Sequence, residues 1–537
     1  MCGSKNKLFA SCFLFALALL LLAGCTKRES VSDSSAAQIL RISQRNEPSG
    51  LDPHLATLPD DYFVLRALSE GLVSPAPGGT GVVPGVATKW ESSEDGLRWT
   101  FHLRPDARWS NGDLVTAGDF VYSFKRILSP NLGAPKARLL FVAKNAAAYS
   151  RGDLTDFAQV GFSSPNDRTL VIVLEHPAPH LLALASSPAW LPVHQGTLEK
   201  FGSPTARDSA WTLPGNYVGN GPFKLKTWSA HREIVVEKNQ KYWAHANVRL
   251  HGIRFVAMDN GDAEERAFRA GQLDVTLAVP SAKLDGYEKD QPTLLRRITL
   301  AETRYLALNT QRAPLSDSRV RRALALAIDR VALTDKVMRG GQVPALTYIP
   351  PELGGYSPPN QITGDLSEAR QLLTAAGFPN GRDFPRLEIS SWVNSPILEA
   401  IQHMWKTGLN IDVAIRQREG KVHLAALSAG EFDIGFAPAI PDYNDVSSLF
   451  EELMTGAAGN YPHWSNAKYD SLTTLAARTL NPSQRIELYQ QAEAILLTEL
   501  PVIPLYFNTQ NFLIHPRVHY WRTDHLWTRF YQWVWLD

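Results

Sequence analysis

Cysteine is nearly absent from this 537-residue chain: the three present, Cys2, Cys12 and Cys25, all fall in the first 25 positions. Everything beyond Cys25 therefore lacks a thiol, which excludes internal disulfides and cysteine-based zinc sites there. A chain this long buries enough apolar surface to fold without cross-links. An excess of one charge is also missing. The 54 Lys and Arg against 53 Asp and Glu leave a formal charge of +1, which becomes −1 once Lys5 and Lys7 are removed. Nucleic-acid binding needs a basic face, so no nucleic-acid partner is expected. No internal repeat at 20 to 50 residues appears, and no Gly-x-Ser-x-Gly elbow, Walker loop, dinucleotide glycine turn or His-Glu-x-x-His helix. His515 and His519 are four apart, but Pro516 between them breaks a helix that would aim both at one metal. Glu451 and Glu452 are adjacent, and neighbours on a helix do not face one site, so they read as solvated surface. Dispersed catalytic triads escape such a search, yet nothing here demands an enzyme, a cofactor or a metal.

What is present begins with a run of sixteen apolar or small residues, Leu8 to Ala23, preceded by Lys5 and Lys7 and closed by Leu22-Ala23-Gly24-Cys25. A basic start, an apolar middle and a small-residue cleavage site are the order of an export signal. The segment resembles a bacterial lipoprotein signal. The resemblance implies removal of residues 1–24, with a diacylglycerol on Cys25 and a second lipid on its amine making the anchoring stable. The alternative, an uncleaved membrane anchor, is disfavoured because a span needs about 20 residues. No second run of spanning length follows. Residues 25–37, Ser-rich and polar, suit a flexible tether, and the 513 residues from Cys25 onward imply two to four domains at about 150 residues each. Aromatics are 10% of the chain, with 14 Trp against 5 Met. That proportion fits a roomy binding cleft, or simply a core rich in rings.

Ile39 to Ile42 reads as the first strand, and the turn-dense stretch 71–186 holds strand-like runs at Trp99–Leu103 and Thr169–Leu174, an α+β mixture. Farther on, Asp317 caps a helix with Val320, Ala323, Leu324, Ala327 and Ile328 on one face. Leu366, Ala369, Leu372, Leu373 and Ala376 repeat the pattern, with Gly377 placed to close it. Asn481 and Pro482 open a helix running to about Thr498. Strands at Arg386–Ser390 and Ile411–Ile415 lie between these helices, so the region from 302 onward reads as an α/β lobe.

Three ordered stretches then carry a family resemblance. The first is Pro84 to Lys125, with Trp90, Asp95-Gly96, Trp99-Thr100-Phe101, Ala107-x-Trp109 and Thr116 to Ser123; the second is Asn220-Gly221-Pro222-Phe223 with Lys238-Asn239 and Tyr242-Trp243; the third is Arg321 to Arg330. Together they resemble the family 5 extracellular solute-binding proteins of ABC importers, most closely the oligopeptide-binding proteins. The resemblance implies a two-lobed periplasmic-binding-protein-like α/β fold with a hinge and an extra inserted α+β domain. Lobe I is expected at 38–70, 187–301 and 508–537, the insert at 71–186 and lobe II at 302–507. It further implies a monomer that catalyses no reaction, captures an oligopeptide between closing lobes and hands it to an ABC permease with its ATPase subunits. The expected location is the periplasm or cell envelope, on a lipid at Cys25.

The same resemblance points to Pro441-Asp442-Tyr443-Asn444-Asp445. Asp442 falls where the oligopeptide binders place the aspartate that pairs with the peptide α-ammonium, and Tyr443 and Asn444 lie beside it. An ammonium shut into a cleft needs such an anionic partner; the alternative is an Asx turn that only shapes the loop. Phe436, Ala437 and Ala439 are expected to offer backbone to the peptide as to an added strand, with Pro438 able only to accept. Trp405, Tyr305 and Asn309 fall on cleft-side positions of the family, with a core or hinge role as the alternative. Two departures weaken the peptide assignment. Ala439 and Phe436 stand where the relatives carry an aromatic and an arginine, which removes a bidentate partner for a ligand carboxylate. Glu302 and Ile440 stand where relatives can carry a disulfide. A dipeptide, sugar, opine or metal chelate is therefore the alternative ligand.

Overall fold

The computed structural model describes residues 37–79 and 81–537. The expected signal segment, Cys25 and all of the expected tether except its last residue lie outside the described residues. Among the described residues, no helix is long and apolar enough to cross a membrane.

Three sheets of four or more strands organise the described residues. In the first, Ile39–Gln44 runs parallel to Gly252–Ala257, and Glu233–Lys238 and Phe223–Ser229 follow antiparallel. Every residue of the leading strand after Ile39 is buried, because helix Pro59–Leu68 and the C-terminal Tyr531, Val534 and Leu536 pack into the same core. The first described strand and the C-terminal segment are tied here. Gln38 Nε2 donates to the Leu536 carbonyl at 2.6 Å, and the fully buried Asp274 accepts from Arg41 Nη2 and Arg517 Nε, each at 3.1 Å. A buried carboxylate is tolerable only with such partners, and losing either would strand charge.

The second sheet, Ala87–Ser92, Arg98–Leu103, Thr169–Val173 and Phe162–Asn166, is wholly antiparallel. Helix Ala117–Leu128 packs on it, opened by a reciprocal cap: Asp119 N–H donates to Thr116 Oγ1 at 3.3 Å and Thr116 N–H to Asp119 Oδ2 at 2.8 Å. Phe101, Phe120, Phe124, Ile172 and Trp190 form its core. Trp190 lies beyond residue 186, the expected end of the insert, and its indole donates to the Leu139 carbonyl at 3.2 Å.

The third sheet has six strands, in the order Val343–Pro344, Val502–Leu513, Leu295–Leu308, Ile434–Ala439, Leu387–Ser391 and Val413–Gln417. Its flanking helices start where capping chemistry demands. Arg319 N–H donates to Asp317 at 2.9 Å, Glu368 N–H to Asp365 at 2.9 Å and Gln484 N–H to Asn481 at 3.1 Å. The first of these helices stops at Leu326, short of Ile328, because Asp329 caps a new turn through Ala332 N–H. The helix from Pro482 runs to Glu499, and Gly377, at φ +98, follows the one that ends at Ala375.

Two long strands join the lobes. Leu295–Thr299 pairs with Thr509–Leu513 on the side of the first sheet, and Thr303–Ala307 with Val502–Phe507 within the third. Between Thr299 and Thr303 the register breaks. The chain thus crosses between lobes twice, in adjacent strands, through a few residues released from continuous pairing.

Candidate ligand-binding cleft

The loop Pro441–Asp445 leaves the end of strand Ile434–Ala439 and is held from below. Asp445 accepts from both terminal guanidinium nitrogens of Arg485, at 2.9 and 2.6 Å, and from Ser447 N–H, at the start of helix Ser447–Phe450, at 2.9 Å. Burial pushes this carboxyl up, but Arg485 overrides it and holds Asp445 below the usual carboxylate range. Asp442 N–H donates to Ser448 Oγ at 2.8 Å. The loop's backbone is therefore positioned without using the Asp442 side chain, which faces a cavity of about 860 Å³ between the lobes.

Contacts from the other side meet this loop. Lys136 Nζ lies 2.6 Å from Asp442 Oδ1 and Arg138 Nη2 lies 2.5 Å from Oδ2. Tyr443 packs into the core of the inserted sheet, its ring stacked on His180 at 5.7 Å. Asn444 donates to the Gly79 carbonyl and accepts from His525 Nε2 at 2.9 Å. Three consecutive residues thus bridge the lobes, and the lobes are drawn together. Burial lowers His180 to about 4, leaving a neutral ring, and lowers Arg66, also in the wall, to about 10.

Asp442, Tyr443 and Asn444 line the cavity, as do Pro438 and Ile440. The other six candidate side chains do not. Ala437 and Ala439 are buried within their strand, which pairs with Thr303–Leu308. Phe436 stacks on Trp392 at 5.2 Å, and its carbonyl already accepts from His423 Nε2 at 2.9 Å, so that part of the strand edge is occupied. Trp405 is fully buried in the second lobe's core and donates to the Leu324 carbonyl at 2.9 Å. Tyr305 packs edge-on against Tyr348 at 5.5 Å. Asn309 satisfies its amide on the Gly430 and Phe432 carbonyls, at 3.1 and 2.9 Å. For these residues the core reading describes the surroundings. Glu302 is buried and paired with Arg304.

Reading Glu451 and Glu452 as solvated surface does not describe them: both are half-buried. They sit in the short turn Glu451–Leu453, directly after helix Ser447–Phe450, and that turn carries Glu452 into the cavity wall. Burial, with Asp442 next in effect, pushes the Glu452 carboxyl up to about 8 against Arg138 and Lys136. Burial lifts Glu451 to about 7. Glu452 makes no hydrogen bond or ion pair among the described residues. The sequence search missed it, together with Lys136, Arg138 and Arg66; its distance of ten residues from Asp442 was the one available signal. Elsewhere, His519 stacks on Trp535 at 3.9 Å and pairs with Asp537 at 2.8 Å.

Two α/β lobes joined by paired strands, with an inserted domain and an interlobe cavity, define a two-lobed binding protein of the periplasmic type. The family model described as "Bacterial extracellular solute-binding proteins, family 5 Middle" matches residues 81–461. The chain belongs to that family.

Three relatives illustrate its range. The periplasmic murein peptide-binding protein MppA of Escherichia coli K12 is 33% identical over 482 residues, covering 88% of each chain. The probable deoxycholate-binding periplasmic protein YgiS of the same organism is 33% identical over 494 residues, covering 90% of each. The periplasmic oligopeptide-binding protein OppA of Salmonella typhimurium LT2 is 31% identical over 529 residues, covering 96% of this chain and 95% of that one. The solved E. coli MppA structure gives a TM-score of 0.82 at 32% identity, covering 93% of this chain and 98% of the other. MppA in its unliganded open form gives 0.76 at 32% identity, covering 93% and 97%. The lower score against the open form accords with the contacts that draw these lobes together.

Proposed function

We propose that this chain is an exported, lipid-anchored receptor that captures oligopeptides between its lobes and delivers them to an ABC permease driven by ATPase subunits. It catalyses no reaction in this reading. The observation that carries it is the cavity of about 860 Å³, walled by both lobes and by a carboxylate-bearing loop at their junction. That size lies in the upper range for ligand sites and suits a short peptide better than a single amino acid. Peptide-binding relatives at 31% and 33% identity support it. Lobe I is taken as 38–70, 187–301 and 508–537, the insert as 71–186 and lobe II as 302–507, with the hinge in the crossing strands. Cys25 carries the lipid and 25–37 the tether. Cys25→Ala should abolish lipid labelling and release the protein from membranes; unchanged membrane fractionation would remove the anchor from the account.

Calorimetry with a pool of tri- to pentapeptides tests the capture step: heat and a thermal shift are expected, and neither with any peptide would sink it. A second reading, a receptor of the same fold for a dipeptide or non-peptide solute, is favoured by one observation. Both Asp442 oxygens are already taken by Lys136 and Arg138.

A further inference from the structure

The charges around the loop raise a question for any cationic ligand. Asp442 is the expected partner of an ammonium, yet two cations from the inserted domain hold it at 2.6 and 2.5 Å. Asp442, Lys136 and Arg138 together carry +1. An ammonium brought to that group would meet net repulsion unless a further anion appears. The cavity wall supplies one beside them: Glu452, which has no hydrogen-bond or ion-pair partner among the described residues.

We propose that Glu452 makes this cleft selective for a cationic ligand end, giving up a proton and taking the ligand's ammonium as its ion-pair partner while Lys136 and Arg138 hold Asp442. The proposal rests on the peptide-receptor reading and specifies how the cation is received. The exchange balances: a neutral carboxyl loses one proton to solvent, and one ammonium takes the place of that positive charge. The charged neighbours of Glu452 act in both directions. Asp442 and Glu451 oppose its ionisation, Arg138 and Lys136 favour it, and the buried hydroxyls of Tyr305, Tyr348 and Tyr461 stay neutral. With its carboxyl at about 8, Glu452 is protonated at neutral pH before the ligand arrives. A bound ammonium would then draw the proton off.

The test is calorimetry of a tripeptide with a free α-ammonium, and of its N-acetyl counterpart, in buffers of different ionisation enthalpy near pH 7. The wild type should release close to one proton with the free peptide and none with the acetylated one. Glu452→Gln keeps the shape of the protonated side chain, so its unliganded melting temperature should be unchanged. It should release no proton and bind the free peptide roughly 30-fold or more weakly. Peptide binding with no proton release, or with the same release in E452Q, would overturn the role of Glu452 and leave the receptor reading standing. Failure of every peptide to bind the wild type would overturn both.

Discussion

Asp442→Ala is the most informative single change, because its effect on folding and its effect on ligand differ. The backbone of residue 442 is held by Ser448, and the loop by Asp445 and Arg485, none of which needs the Asp442 carboxylate. Folding stability should therefore change little. Arg138 is 39% exposed, so its pair with Asp442 is screened by solvent; the pair with Lys136, 23% exposed against 12% for Asp442, contributes more. Removing Asp442 leaves both cations facing an arriving ammonium with one anion fewer. The expected loss is about 3 kcal/mol for a peptide with a free α-ammonium, roughly 150-fold in Kd. An N-acetylated peptide, lacking that charge, should lose far less. Isothermal titration of both peptides against wild type and variant measures the difference directly. Equal affinity of the variant for the free peptide would refute the reasoning and reduce Asp442 to a loop residue.

Other changes separate scaffold from site. Arg485→Ala strands the buried Asp445 carboxylate and should cost about 3 to 5 kcal/mol of stability, read as a lower urea midpoint; an unchanged midpoint would remove Asp445 from the loop's support. Trp405→Phe loses the indole bond to Leu324 and should lower stability by about 1 to 2 kcal/mol without altering peptide affinity; a selective loss of affinity would return Trp405 to the site. Burial lifts Glu70, Glu451 and Glu493 to about 7 and Glu452 to about 8. Unfolded glutamates are ionised above pH ~4.3, while His54 and His180, lowered to about 4 by burial, let the unfolded chain bind more protons near pH ~6.5, an opposing effect that fades above pH ~7. Between pH 7 and 8 the native chain thus holds the extra protons, so stability should fall as pH rises. A urea midpoint that rises across that interval would contradict these environments.

Local chemistry made much of the scaffold legible. Asp317, Asn481 and Pro482 announce helix starts because a cap needs only the few residues beside it. The motif around Asp442 likewise marks a loop at a strand end. A family position does not report where a side chain points, however, and Trp405, Tyr305 and Asn309 turn into packed interior. Glu451 and Glu452 escape a helical-surface reading because the chain makes one short turn there. The cations on Asp442 come from 306 and 304 residues earlier in the chain. Only the closed arrangement of the lobes brings them together, and no local pattern encodes that.

The central claim is that the cavity between the lobes holds a peptide. Mass spectrometry of whatever is released on denaturing the protein purified from its own cell envelope tests it most directly. Short peptides with free α-amino groups are the predicted result. A uniform non-peptide solute, recovered from wild type and lost from Asp442→Ala, would contradict the peptide assignment while leaving the cleft as the binding site.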